Sequence, residues 1–251
     1  MSGHSKWAGI KHKKAIVDAK RGQAFTRASR EITISAKEGG GNPEGNFRLR
    51  LAMQKAREIN MPTDRIQNAI KRGTGELAGE KLEEIRYEGY GPAGVAVMVD
   101  AFTDNRNRTS ASIRHRFAKL GGNLAETNAV GWMFERKGVI TANAGTNDPE
   151  EVGLAAIEAG ADDVQVDARS IEVTTPPAAF ETVKAALESM GVTIDNAEIT
   201  MQPKQTVPVG EDKAVSVLRL MESLEEDDDV QQVYANFDIP NNVLERVSAQ
   251  V

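Results

Sequence analysis

The feature that most restricts the fold is an ordered succession of strand and helix patterns between Gly138 and Met201. Short runs rich in β-branched residues alternate with longer helical runs in the order strand, helix, strand, strand, helix, strand. This order is typical of the ferredoxin-like, split βαβ arrangement. We therefore predict a ferredoxin-like domain at residues 135–206. The predicted strands are 138–141, 164–166, 171–174 and 198–201, and the predicted helices are 149–159 and 177–190.

A second set of α/β elements lies on both sides of this domain in the sequence. The elements after residue 206 supply the helix and strand that the elements before residue 135 lack. We therefore predict a discontinuous α/β domain, 79–134 plus 207–251, that carries the ferredoxin-like domain as an insertion. Its predicted elements are strands at 85–92, 94–102, 132–134 and 230–237, a helix that ends before Gly121, and a helix at 211–225.

Residues 22–75 show helical periodicity instead, with apolar residues recurring three and four positions apart. Glycines predict the ends of two helices, at 39–41 and 73, and Asn42 with Pro43 predicts the N-cap and first turn of the second helix. This region, preceded by a basic arm, is the predicted domain 1–78. The sequence as a whole predicts an α+β fold of three domains. They are an N-terminal basic three-helix domain and two ferredoxin-like α/β domains, with the third inserted in the second.

The charges divide the chain sharply. Residues 1–75 hold sixteen Lys or Arg and six Asp or Glu, a net charge of +10, whereas the other 176 residues hold fifteen and thirty-one, a net charge of −16. Clustered cations bind polyanions because they release condensed counterions from phosphates. We therefore predict a nucleic acid, either ribosomal RNA or duplex DNA, as the partner of the N-terminal domain.

Several classes of function are disfavoured. The chain has no cysteine, which excludes disulfides, thiol nucleophiles and thiolate metal sites. His4, His12 and His115 lack the spacing of a metal site, and no catalytic signature is present, so we expect no enzymatic activity, no cofactor and no small-molecule substrate. No apolar run approaches the length of a membrane span, so we expect a soluble, cytoplasmic protein rather than a membrane-bound one. A mitochondrial presequence is the alternative for the basic N-terminus.

The candidate nucleic-acid contacts are the basic side chains of the arm and helices, together with Trp7 and the segment 104–109. Trp7 could stack on a base or pack over the helices. The segment 104–109 could contact nucleic acid or the helical domain. The loop at 39–46 resembles a phosphate cradle in composition only, and the acidic run 225–229 is predicted to be a solvated turn. The candidates are Lys6, Trp7, Lys11, His12, Lys13, Lys14, Lys20, Arg21, Arg27, Arg30, Arg48, Arg50, Arg106 and Arg108.

Six short sequence blocks occur in a fixed order along the chain: Gly3–Trp7, Lys11–Lys14, Asp18–Gly22, Tyr87–Pro92, Asp104–Thr109 and Gly121–Leu124. In this order they resemble the YebC/PmpR family, which includes a mitochondrial translational activator. The resemblance implies three domains, no catalysis and no cofactor. It also implies a regulator of gene expression, since members are labelled as DNA-binding transcriptional regulators or assigned to translation on the ribosome, with proline-rich nascent chains as one context.

The sequence departs from the family pattern at two places. Ala28 and Ser29 replace a bulkier apolar pair, and Phe47 stands where Pro is usual. Both changes bear on helix packing more than on the basic positions.

These observations lead to three hypotheses. The first is a ribosome- or rRNA-associated translation factor, because the arm has no helix-turn-helix signature and an exposed tail suits irregular RNA. The second is a DNA-binding transcriptional regulator that uses the same surface. The third is a protein-interaction scaffold, for which neutralising the arm would leave function intact.

Overall fold

The computed structural model describes residues 18–79 and 81–247. Mixed helices and two four-stranded antiparallel sheets confirm the α+β class. The helices are α1 (Asp18–Gly39), α2 (Phe47–Glu58), α3 (Thr63–Thr74), α4 (Arg106–Lys119), α5 (Pro149–Glu158), α6 (Phe180–Ser189), α7 (Glu211–Glu225) and α8 (Asn241–Val247), with 3₁₀ turns at Pro92–Gly94 and Gly131–Met133. The strands are β1 (Glu83–Tyr90), β2 (Ala96–Thr103), β3 (Asn123–Leu124), β4 (Phe134–Asn143), β5 (Asp163–Asp167), β6 (Ser170–Thr175), β7 (Thr193–Pro203), β8 (Val207–Pro208), β9 (Val230–Ala235) and β10 (Phe237–Asp238).

The helical region consists of α1, α2 and α3, and both α2 and α3 pack against α1. Its buried side chains recur at helical spacing, which is why the sequence predicts three helices here. The predicted end at Gly73 is wrong, because α3 continues to Thr74 and Gly75, with a φ of 82°, is its C-cap. A Cβ atom at Gly73 would lie 2.4 Å from the carbonyl oxygen of Thr33, so the close approach of α3 to α1 requires glycine. The core residues are Ile32, Ala36, Leu49, Ala52, Met53, Ala56, Met61, Ile66, Ala69 and Ile70.

The start of α2 differs from the prediction. Asn46, not Asn42, is the N-cap, and its side-chain oxygen accepts a hydrogen bond from the Leu49 N–H at 3.0 Å. Its amide nitrogen donates to the carbonyl oxygens of Ser35 and Gly40, at 2.7 and 2.8 Å. Asn42 forms a local turn, in which its side chain accepts from the Glu44 N–H at 3.0 Å. Asn46 is the N-cap because its side chain caps α2 and also donates hydrogen bonds to a carbonyl of α1 and to the carbonyl of Gly40 after it.

The first sheet has the strand order β3-β1-β2-β9, with every neighbouring pair antiparallel. Because β9 pairs with β2, the chain returns after residue 206 to the sheet that contains β1 and β2. Helices α4 and α7 supply buried residues such as Phe117 and Leu218 to a core shared with Val97 and Val99 of β2. A separate cluster joins Ile34 of α1 to Leu82 and Phe102.

The strand predicted at 132–134 is wrong. Residues 131–133 form a 3₁₀ turn, and Phe134 begins β4 of the other sheet. The strand that completes the first sheet is β3, in which Asn123 and Leu124 pair with Tyr90 and Gly89. A two-residue strand is too short to show the alternation by which strands are recognised in a sequence.

The second sheet has the order β5-β6-β4-β7 and is antiparallel throughout. With α5 after β4 and α6 after β6, the chain order and the strand order are those of the predicted ferredoxin-like domain. The strands β4 and β7 are longer than predicted and pair from Phe134 to Asn143. Buried side chains from both helices and from β4 and β6 form its core, among them Ile140, Val152, Ile171 and Phe180.

Contacts between Cα atoms divide the described chain into two compact units. One unit is Trp132–Thr206. The other contains the described residues of 18–131 and 207–247, and therefore both the helical region and the first sheet. The boundaries of the three domains stay a prediction. In the described part of the chain, no helix is long and apolar enough to cross a membrane.

Candidate nucleic-acid interface

The predicted contacts of the arm cannot be placed on this structure. Lys6, Trp7, Lys11, His12, Lys13 and Lys14 lie outside the described residues. Lys20 and Arg21 belong to the start of α1. For all of these residues a role in binding nucleic acid stays a prediction.

Arg27 and Arg30 of α1 contact the loop between α7 and β9. We call residues 225–229, the last residue of α7 and the loop that follows it, the acidic loop. Arg27 Nη2 donates to the carbonyl oxygen of Glu225, and Arg30 Nη1 donates to that of Asp228. Arg30 Nη1 also lies 3.1 Å from Asp229 Oδ1. Burial lowers the pKa of Arg27, and the charges of Asp228 and Asp227 offset part of that effect.

Helix α4 contacts the same loop from within the α/β region. Arg108 Nη2 donates to Asp229 Oδ2 at 2.8 Å, and Thr109 Oγ1 donates to the same oxygen at 2.6 Å. Arg116 Nε lies 3.2 Å from Asp227 Oδ2. The segment 104–109 therefore meets the helical region through Asp229, which Arg108 and Arg30 share. This favours the second of the two roles predicted for the segment.

The prediction that residues 225–229 form a solvated turn is wrong for two of its carboxylates. Asp227 and Asp229 are only 7% and 5% exposed. Burial alone would raise the pKa of Asp229, but hydrogen bonds from Thr109 and Arg108 and the charges of Arg108 and Arg30 lower it below its ordinary value. Buried carboxylates are tolerated when they are paired and hydrogen-bonded in this way.

Arg48 at the start of α2 also forms ion pairs with carboxylates of the same chain. Its guanidinium lies 2.9 Å from Glu31, 2.7 Å from Glu38 and 2.9 Å from Glu84. It lies 5.7 Å from the centroid of the Phe102 ring. Burial opposes its charge, but Glu31 and Glu84 together raise the pKa of Arg48 above its ordinary value. Since Glu84 is on β1, Arg48 connects α2 to the first sheet.

Among the predicted contacts that the structure describes, Arg50, Arg106 and Arg108 are exposed, and Arg108 is held by Asp104 and Asp229. Arg50 stacks on the ring of Phe47, with its guanidinium carbon 5.2 Å from the ring centroid, and donates to the carbonyl oxygen of Pro43 at 3.3 Å. Phe47 is one of the two departures from the family pattern. Its ring stacks against the Arg50 guanidinium and is not among the side chains of the helical core. Arg106 begins α4, and the described residues provide no salt-bridge partner for it.

Four further exposed cations were not among the predicted contacts. None of them has an acidic partner within the described part of the chain, although Arg65 stacks over Phe25 at 5.6 Å. Helical periodicity could have identified them, because they lie off the buried stripes of α2 and α3. They are Arg57, Arg65, Lys71 and Arg72.

We call these four residues and Arg50 the α2–α3 cations. Residues 47–74, from the start of α2 to the end of α3, contain seven Lys or Arg and two Asp or Glu. Exposed cations without carboxylate partners attract the phosphates of a polyanion. In contrast, Arg30, Arg48 and Arg108 already bind carboxylates of the same chain, and Arg27 is half-buried against the acidic loop.

Comparison with known proteins decides the family. Residues 5–76 match the family described as "TACO1/YebC protein N-terminal domain", and residues 82–237 match "TACO1/YebC second and third domain". The chain belongs to the TACO1/YebC family. This confirms the resemblance seen in the sequence blocks.

Relatives of this TACO1/YebC protein match it over its whole length. A protein of Natranaerobius thermophilus is 57% identical over 98% of this chain and 99% of its own. One of Dictyoglomus turgidum is 53% identical over 99% of this chain and 100% of its own. Both bear the name "Probable transcriptional regulatory protein". The crystal structure of a conserved hypothetical protein from Aquifex aeolicus, 50% identical, covers 90% of this chain and 94% of its own with a TM-score of 0.80, which confirms the fold.

Proposed function

We propose that this TACO1/YebC protein is a non-enzymatic, nucleic-acid-binding regulator of gene expression whose target is structured RNA of the ribosome. The α2–α3 cations carry the proposal, because they are exposed and lack acidic partners in the described chain. The basic arm adds Lys6, Lys11, Lys13 and Lys14 to the same domain. The rest of the chain, beyond residue 75, has a net charge of −16. In this proposal these acidic regions do not contact the phosphates and either face solvent or bind protein.

The choice of RNA rests on the kind of contact that these residues can make. Arg50 is stacked on Phe47, and Arg65 on Phe25, so each presents a flat cation beside an aromatic ring. Planar cations and aromatic rings suit the unstacked bases and irregular backbone of folded RNA. Trp7 in the arm would supply a further stacking surface.

Co-sedimentation with purified ribosomes, with and without excess duplex DNA, tests the proposal. The variant Arg57→Glu/Arg65→Glu/Arg72→Glu removes cations from α2 and α3, and Lys11→Glu/Lys13→Glu/Lys14→Glu removes those of the arm. The control Arg114→Glu/Lys119→Glu/Lys213→Glu makes the same change of charge at exposed positions of α4 and α7. We expect wild type and control to pellet with ribosomes despite the DNA, and both other variants to stay in the supernatant. Equal pelleting of all four proteins would contradict the proposal.

A DNA-binding transcriptional regulator is the second candidate. The names of the relatives from Natranaerobius thermophilus and Dictyoglomus turgidum favour it. The connection of α2 to α3 also favours it, since only residues 59–62 separate the two helices and Asn60 has a φ of 58°. A turn of this length is found in helix-turn-helix motifs. If excess duplex DNA removes the wild type from ribosomes, this candidate replaces the first.

A further inference from the structure

Exposed apolar side chains lie on the edge strand β5 of the second sheet and on helix α5. Within the described residues, five large hydrophobic side chains are exposed, and four of them lie in the unit Trp132–Thr206. Trp132 stands at the start of that unit, and the other three are on α5 and β5. Leu154 is 60% exposed, Ile157 45% and Val166 46%. Single exposed apolar residues are ordinary, but a group on adjacent elements is typical of an interaction surface.

Val166 and helix α5, which carries Leu154 and Ile157, lie on the same side of the sheet. Gly153 of α5 packs against Val164 of β5, because a Cβ at Gly153 would lie 3.1 Å from Val164 Cγ1. Val164 and Val166 are two positions apart on β5 and so point to the same face. Val164 and Val166 pair with Val173 and Ile171 of β6, and both of these partners are fully buried in the core beneath the helices. Val166 therefore lies on the side of the sheet that α5 covers, where Leu154 and Ile157 are exposed.

The opposite face of β5 carries acidic side chains. Asp163, Gln165 and Asp167 alternate with the two valines, and all three are exposed. The unit Trp132–Thr206 contains five Lys or Arg and thirteen Asp or Glu, a net charge of −8. A nucleic acid would be repelled by this surface.

The strand itself has an open side. β5 is at the end of the sheet order and pairs with β6 and with no other strand of the described chain. An edge strand presents backbone N–H and C=O groups that an extended segment can pair with, as in recognition by β-strand addition. A second copy of this chain would place one acidic edge against another, and like charges opposite each other on paired strands are destabilising.

We propose that β5 and α5 form a docking surface for an extended segment of a basic protein, in which apolar residues alternate with Lys or Arg. The segment adds a strand beside β5. Its apolar side chains cover Val166, Leu154 and Ile157, and its basic side chains pair with Asp163 and Asp167 on the other face. This surface is separate from the α2–α3 cations, so it stands or falls independently of the proposed function.

A synthetic peptide of about ten residues with alternating Val and Lys is a suitable probe, since this length spans one strand. Two control peptides accompany it: one with Val and Glu alternating, and one with the same Val and Lys residues in two blocks. Binding to the full chain is measured by fluorescence anisotropy, and protection of the β5 amides is measured by hydrogen exchange. We expect the alternating Val-Lys peptide alone to bind and to protect residues 163–167.

Variants of the protein test each half of the surface. Leu154→Ser/Val166→Ser removes apolar contacts, and Leu77→Ser is its control at an exposed hydrophobic residue outside this unit. Asp163→Lys reverses one charge on β5, and Asp195→Lys makes the same change on β7, the opposite edge of the sheet. We expect Leu154→Ser/Val166→Ser and Asp163→Lys each to weaken binding about tenfold and the two controls to leave it unchanged.

Three results would overturn the proposal. The first is no detectable binding of the alternating peptide at concentrations up to about 1 mM. The second is equal binding by the β5 variants and their controls, or by the block peptide, which would indicate attraction to net charge alone. The third is self-association of the wild type that protects β5 without any peptide, which would make a second copy the occupant. Circular dichroism of every variant distinguishes lost binding from lost fold.

Discussion

The guanidinium of Arg30 lies 3.1 Å from the carboxylate of Asp229, although almost two hundred residues separate them in the chain. Arg108 contacts the same carboxylate at 2.8 Å, so one buried acid joins α1 of the helical region to α4 of the α/β region. The acidic loop thus acts as a structural connection rather than a solvated turn.

Removing the Asp229 carboxylate should destabilise the protein. In Asp229→Ala, the hydroxyl of Thr109 loses its 2.6 Å acceptor in a buried environment, and Arg30 loses its ion pair. We expect a loss of about 2 kcal/mol in the free energy of unfolding, measured by urea denaturation. Glu226→Ala is the control in the same loop, because its side chain is exposed and its carbonyl contact with Gln23 is retained. Equal effects of both substitutions would mean that the buried carboxylate has no special role.

Stability should depend on pH through the same group. The folded protein lowers the pKa of Asp229 from its ordinary value of 3.8. The unfolded chain therefore takes up a proton at higher pH than the folded chain does, and the stabilisation is complete above that ordinary value and lost as pH falls through the lowered pKa. The free energy of unfolding should fall from about pH 5 to about pH 3 more steeply for the wild type than for Asp229→Asn. Parallel curves would exclude Asp229 as a source of acid sensitivity.

The N-cap of α2 gives a direct comparison between two asparagines. Asn46→Ala removes the cap to Leu49 and two donors to carbonyls of α1 and the loop after it, so we expect a loss of about 2 kcal/mol in the free energy of unfolding. Asn42→Ala removes one hydrogen bond at an exposed turn and should cost well under about 1 kcal/mol. Thermal and urea denaturation would measure both. A larger effect at Asn42 would favour the cap predicted from the sequence.

Alanine substitutions at two helical glycines should change the stability of the protein in opposite directions, because only Gly73 lies where α1 and α3 cross. Gly73→Ala places a Cβ 2.4 Å from the Thr33 carbonyl oxygen and 2.7 Å from the Ala36 Cβ, so overpacking should cost about 2 kcal/mol. Gly22→Ala in α1 meets no atom within 4 Å and should stabilise by about 0.5 kcal/mol through helix propensity. Denaturation midpoints would show the two signs. A Gly73→Ala protein as stable as the wild type would show that the helices can separate at no cost.

Periodicity explains what the sequence predicts well. The three basic helices bury residues at helical spacing, as at Ile66 and Ile70, and the inserted domain alternates strands and helices in a recognisable order. The partners of charged residues are not encoded locally. A run of five acidic residues has the composition of a solvated turn, and only the fold brings Arg30 and Arg108 to Asp229. For the same reason the sequence could not separate Arg48, which is bound by three glutamates, from Arg57, which is exposed.

The salt dependence of binding to folded ribosomal RNA counts the phosphates that the protein neutralises, including those bound by the α2–α3 cations. Wild type and Arg57→Glu/Arg65→Glu/Arg72→Glu are compared by the slope of log affinity against log salt concentration. If the wild type neutralises about five phosphates, its slope is about −3.5 on single strands or about −4.5 on a duplex. The loss of three contacts should make the slope shallower by roughly 2 to 3. A wild-type affinity that does not change with salt, or equal slopes for the two proteins, would show that the α2–α3 cations do not neutralise RNA phosphates.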